Sequence, residues 1–387
     1  MRKPRLLCVV VASLAALLPN PVSADDKLLP TIVTSNTPLA PAQQAAVESY
    51  VRQRADSLIN GPQERIVTAR QDLLKPLLQP GASRFFLRAY GPTLAQQLSP
   101  ALTSPNLLVR LNAMIVVASA KDPSVLDLIV TGLADPSPSV RYWAARAAGQ
   151  LAAAVKLVQQ DQDTLLATLL QAFERENSDQ VKQRLRAALI DLNIPEGIFR
   201  LLDSLSKEVD LYAANPTSNL DNTLESLRLL FVKTVEASST GQPLPEKISR
   251  QMALVAYRYL VLSVSVADAS AADPNALTDY HEMIRLADAI LGWVARRRPS
   301  QAPPAPPSIQ AEVEMQDWPM IRLRTEEWKQ LLQGAPFSFT TQDLAVPTPQ
   351  RLSSLAPPRD PENSTRRRQE PRVATRGLHS RVAGKVG

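Results

Sequence analysis

The 387-residue chain has one cysteine, two histidines and 12 glycines, and each scarcity narrows what it can do. Cys8 stands inside a segment that reads as a removable leader, so the remainder has no disulfide, thiol nucleophile or thiolate metal site. His281 falls on a predicted helix and His379 in the C-terminal tail, which rules out a histidine-rich metal cluster. The string His281-Glu282-Met283-Ile284-Arg285 begins like a zinc-protease helix but has Arg where the second imidazole must stand. A Ser-His-Asp triad would have only His281 to draw on, and no G-x-S-x-G elbow presents a serine. The glycine-rich cradles G-x-G-x-x-G and G-x-x-x-x-G-K-[ST] are also missing. Carboxylate pairs such as Glu174/Glu176 and Glu326/Glu327 read as solvated helix faces, with no second pair set opposite. The expectation is a protein that is not an enzyme and uses neither cofactor nor metal.

Long apolar runs are scarce as well. Leu6 to Leu18 is too short for a membrane span and suits the apolar core of a signal peptide. Arg2, Lys3 and Arg5 precede it, Pro19 and Pro21 break it, and Val22-Ser23-Ala24 offers small residues for cleavage before Asp25-Asp26. Residues 1–24 are therefore expected to be a Sec-type signal peptide, and the protein to be periplasmic, envelope-associated or secreted. Whether the segment is cleaved or kept as an anchor stays open. The other apolar stretch, Met252 to Val266, carries Arg258 and reads as a buried central helix.

A net positive charge is missing from the body of the chain. Residues 1–24 carry +3 and residues 351–387 carry nine basic against three acidic residues, +6; removing both from the formal +6 leaves −3 for residues 25–350. No nucleic-acid partner is expected for the folded part.

What is abundant is alanine, leucine and proline, with 33 prolines against the 12 glycines. That balance favours helices with frequent breaks. After an extended segment over 25–40, a helix opens at Pro41, carries Ala45, Val47, Tyr50, Val51 and Leu58 on one stripe, and stops at Asn60-Gly61. Pro62 opens a second helix that runs to Pro80-Gly81. A third carries Phe85, Phe86 and Tyr90, and Gly91-Pro92 leads into a fourth.

Between about residues 92 and 205 the chain repeats itself. Leu126, Ile129, Val130 and Leu133 share one helical face, Asp135-Pro136-Ser137-Pro138-Ser139 breaks it, and Val140, Arg141, Ala144, Ala147, Ala148 and Leu151 mark a second, Ala-rich helix. Val109-Arg110 with Ala113, Val116 and Val117 matches this on one side, and Val181-Lys182 with Leu185, Ala188 and Leu192 on the other. The Val-basic pairs are spaced 31 and 41 residues apart, the longer gap coinciding with a polar insertion around Gln159 to Asp163.

This pattern resembles a HEAT repeat: a leucine-rich helix, a turn with Asp and Pro, then Val-Arg and an alanine-rich helix. Leu133, Asp135, Val140, Arg141, Ala144, Ala147, Gly149 and Leu151 carry the resemblance. It implies an all-α fold, an α-solenoid of HEAT-like helix pairs with roughly ten to twelve helices over 41–298, because a lone helix pair cannot bury its apolar face. Beyond 298 come a Pro-rich linker (299–308), a short island with Trp318 and Trp328 (309–346), and a basic tail (347–387) expected to be disordered.

Three features are candidates for binding. Arg141, Tyr142, Trp143 and Arg146 put cations and aromatics on one repeat helix; they either meet a partner or serve packing and ion pairing between repeats. Trp318 and Trp328 either anchor a partner or pack on the last helices. Arg366, Arg367 and Arg368 either attract an anionic envelope polymer or lipid headgroup or only aid solubility. These features lead to an exported scaffold or adaptor that holds a protein partner on its helical-repeat surface. Two alternatives stand beside it. Some HEAT-like proteins are lyases that attach bilin chromophores to cysteines, which export and the missing active-site signature argue against. A purely structural envelope spacer is the other.

Overall fold

The structure, a computed structural model, describes residues 30–154, 158–214, 220–241, 244–269, 274–297 and 304–349. The segment expected to be a signal peptide (1–24), the first residues of the linker, the tail from residue 350 and Arg366, Arg367 and Arg368 lie outside the described residues. Among the described residues there is no strand; the fold is all-α. The helices divide into two compact units, one reaching to Leu205 and adding Asp221–Met252, the other comprising Ser206–Leu220 and the chain from Ala253 onward.

The first unit contains four helix pairs in chain order: α1 (Pro30–Val33) precedes α2 (Pro41–Ile59) with α3 (Gln63–Leu78), then α4 (Arg84–Leu102) with α5 (Leu107–Ala120), α6 (Leu126–Leu133) with α7 (Pro138–Ala154), and α8 (Gln159–Arg175) with α9 (Asp179–Leu192). The pairs stack in two rows. First helices α2, α4, α6 and α8 touch in succession, as do second helices α3, α5, α7 and α9. Each second helix in the repeat region buries the same positions: Val109, Val140 and Val181 near its start, then Val116, Ala147 and Ala188. Small side chains let the rows close up. A Cβ added at Gly132 on α6 would meet Met114 Cε at 2.4 Å and Ala144 Cβ at 2.9 Å, so this glycine sets the distance between α6 and its two neighbours.

The N-terminal part of this unit departs from expectation in two places. Residues 30–33 are not extended but form one helical turn, because Ile32 and Val33 are buried and the Val33 carbonyl accepts from Ser83 N at 2.9 Å. Nor does Gly91-Pro92 separate two helices. α4 runs unbroken through Pro92, although an internal proline costs about 3 kcal/mol of helix stability. Phe86, Tyr90, Leu94 and Leu98 explain why: all four are fully buried on one continuous stripe, and splitting the helix would turn half of it to water. Each such side chain contributes about 2 kcal/mol by burial, so together they outweigh the proline.

After α9 the helices lengthen: α10 (Pro195–Ala214), α11 (Leu220–Ser239), α12 (Glu246–Ala269) and α13 (Pro274–Arg296). α12 buries Met252, Val255, Tyr259, Leu262 and Val266, as a central helix should. Among the described residues no helix is long and apolar enough to cross a membrane.

In the second unit the island consists of α14 (Gln310–Met315) and α15 (Trp318–Gln333). One carboxylate on α13 holds it. Asp288 is buried, and its Oδ2 accepts from Ser308 Oγ at 2.7 Å and Ile309 N at 3.2 Å, while Oδ1 accepts from Trp328 Nε1 at 3.2 Å. Burial raises the pKa of this carboxyl above the ordinary Asp value, against those three hydrogen bonds. Further along, the His281 ring lies 5.6 Å from that of Trp318.

Candidate functional site

The loops between paired helices carry a recurring ion pair. Arg110 on α5 donates from Nε to Asp135 Oδ2 at 2.8 Å, and Arg141 on α7 donates from Nε to Glu176 Oε2 at 2.8 Å and from Nη2 to Oε1 at 2.9 Å. In both cases the acid belongs to the loop of the next pair. The same arginine also donates to carbonyls of its own loop, Ser104 O at 2.8 Å for Arg110 and Asp135 O and Pro136 O at 2.9 Å for Arg141. The acids are engaged again: Asp135 accepts from Ser137 N, and Glu176 from Asn177 N and Ser178 N. The hydrogen bond from Arg141 holds the Glu176 pKa below the usual carboxylate range in spite of burial. Lys182 occupies the third position and, among the described residues, lies over the ring of Phe173 at 5.7 Å with no ion pair to a loop acid.

Residues 95–190 match the family model for HEAT repeats. The chain carries HEAT-like repeats. No curated protein and no solved structure matches it. The HEAT-like segment spans the second half of α4 through most of α9, and the stack continues upstream through α2 and α3, inside the range 41–298 expected for the helix pairs. α3 lacks the Val-basic start and the alanine-rich face, so nothing in its sequence marks it as a second repeat helix.

Within the HEAT-like segment the four candidates on α7 separate. Arg141 is consumed by the inter-repeat pair. The other three gather a partner from the second helix of the next pair: Arg184 on α9 donates from Nε to Tyr142 Oη at 2.9 Å, and its guanidinium lies 5.2 Å from the Tyr142 ring. Tyr142 and Trp143 meet edge to face at 5.9 Å, and the Arg146 guanidinium stands 4.8 Å over Trp143. Tyr142 and Trp143 are half-buried, whereas Arg146 and Arg184 are exposed. Arg184 is the functional candidate that sequence reading missed; its position one repeat onward from Tyr142 follows from repeat stacking, not from any local motif.

The other candidates fall elsewhere. Trp328 is buried to 1% exposure and donates its indole N–H to Asp288, so it belongs to the core and is not a surface anchor. Trp318 is half-buried against His281, whose pKa burial and Arg285 lower. The first unit also holds two grooves. One of about 480 Å³ has Glu48, Phe85 and Arg88 on its walls; the other, of about 320 Å³, is lined mainly by Ile198, Leu244, Pro245 and Ile248. Among the described residues no group of His, Cys, Asp and Glu is placed to hold a metal ion.

Proposed function

We propose that this protein is a non-enzymatic, exported scaffold that holds a protein partner on the α7–α9 face of its HEAT-like segment. The observation that carries this reading is the cluster of Tyr142, Trp143, Arg146 and Arg184, aromatic and cationic groups brought to one surface by repeat stacking. Such groups are the ones enriched where binding energy concentrates, because they bury large rigid area and offer directional donors. HEAT-type stacks commonly serve as docking surfaces, since each added pair extends a continuous face. Export rests on the leader-like segment at residues 1–24, and the basic stretch of residues 351–387 supplies weak attachment to an anionic envelope polymer or lipid.

The test is capture from envelope extract by the full chain beside the Trp143→Ala/Arg146→Ala variant. A stoichiometric partner held by the wild type and lost by the variant supports docking on this face. Equal capture by both moves the docking surface elsewhere, and no partner with either favours a structural spacer.

A further inference from the structure

Resting on that reading, we infer that the α7–α9 face recognises an acidic peptide segment, with carboxylates at Arg146 and Arg184 and an apolar side chain against Trp143. The two exposed guanidinium groups meet no carboxylate among the described residues; each lies over an aromatic ring instead. Their situation contrasts with that of Arg110 and Arg141 on the same helix row, where each arginine has a dedicated, buried acid.

The local charge is set against the rest of the body. Helix α7 (Pro138–Ala154) has two arginines and no acidic residue, in a body whose balance over residues 25–350 is −3. On α9 the acids are Asp179 in the first turn and Asp191, half-buried near the other end beside Gly149. An arginine over an aromatic face can still form paired bonds with a carboxylate, Arg146 through its Nε or Nη groups and Arg184, whose Nε is taken by Tyr142 Oη, through its two Nη groups. Two guanidinium groups are too few to follow a nucleic-acid backbone, which needs a longer track of phosphate contacts. The aromatic edges add apolar contact that a short side chain between two acidic residues would complete. Beside α7, the first turn of α5 exposes Leu107 and Leu108.

The experiment measures fluorescence anisotropy of a labelled 14-residue peptide alternating Glu and Leu against the full chain. Its counterpart with Gln for Glu and a single-stranded oligonucleotide of similar length serve as comparisons. The Glu peptide should bind at least tenfold more tightly than the Gln peptide, and added salt should weaken it. Arg146→Glu/Arg184→Glu should abolish the difference, while Arg146→Lys/Arg184→Lys should retain part of it. Both positions are exposed, and circular dichroism verifies that the variants fold. Equal binding of both peptides with loss on Trp143→Ala overturns the acidic preference and leaves the docking face standing. Binding that neither Trp143→Ala nor the charge reversal alters, or no binding at all, overturns both. Tighter binding of the oligonucleotide than of the Glu peptide also overturns the inference.

Discussion

Arg141 and Glu176 are 35 residues apart, on different repeats, and form a two-point ion pair with bonds of 2.8 and 2.9 Å in which the Glu176 side chain is 2% exposed. Glu176 also accepts the N–H groups of Asn177 and Ser178, so one carboxylate closes its own loop and ties it to the helix before. The pair Arg110–Asp135 repeats the arrangement one step earlier. Stacking between neighbouring pairs is thus held by charge at the loops and by alanine and valine between the helices.

Removing one partner leaves the other charge partly desolvated. Glu176→Met is expected to destabilise the protein by about 3 kcal/mol, Arg141→Met by a comparable amount, and Arg141→Met/Glu176→Met by less than the sum of these two single changes. Urea unfolding of the four species measures this. Additive effects would show that the pair contributes no coupling.

The pH dependence follows from the same bond. Glu176 has a folded-state pKa below its unfolded value of 4.5. Its contribution is therefore present above pH 4.5 and fades as pH falls through the lower folded value. The stability difference between wild type and Glu176→Gln should be largest near neutral pH and shrink in acid. A gap that grows on acidification would contradict the assignment.

Close approach at Gly91 yields a third expectation. A Cβ there would stand 2.6 Å from Asp122 Cγ, and Asp122 is held by accepting from Ser124 N and Ser124 Oγ. Gly91→Ala should destabilise by about 2 kcal/mol despite alanine's better helix propensity. Adding Asp122→Gly, which removes the clashing Cβ, Cγ and Oδ1, should recover part of the loss in thermal unfolding.

The island depends on Asp288. Asp288→Asn replaces one acceptor edge with a donor that faces either Ser308 and Ile309 or Trp328. Hydrogen exchange over residues 310–333 should accelerate by about tenfold or more, and Trp328 emission should shift to the red. Unchanged exchange would mean that apolar packing of Trp328 and Leu332 suffices.

The tail offers a separate check. Residues 351–387 carry nine basic and three acidic residues. The full chain should bind vesicles containing anionic lipid in a salt-sensitive way, and Arg366→Glu/Arg367→Glu/Arg368→Glu should remove most of that binding, at about 1 kcal/mol per arginine. Sedimentation with neutral vesicles provides the baseline.

Apolar spacing alone identified the helices of the repeat region: Val109, Val140 and Val181 with their alanines stand at repeated positions and are all buried. The paucity of glycine and the proline breaks likewise told of short paired helices, since local propensity and one-face periodicity are properties of neighbouring residues. Tertiary structure decided the rest. Pro92 reads locally as a break, yet α4 continues because Phe86, Tyr90, Leu94 and Leu98 share one buried face. Trp328 reads either as a partner anchor or as packed on the last helices, and Asp288, 40 residues away, decides for the core. Arg141 and Arg146 look alike on one helix, but only Arg141 lies within reach of the next loop's acid, and only Arg146 is left over an aromatic ring. Which arginine is bound and which is free depends on where the neighbouring repeat places its groups. That placement comes from long-range packing, which the spacing of residues along one helix does not contain.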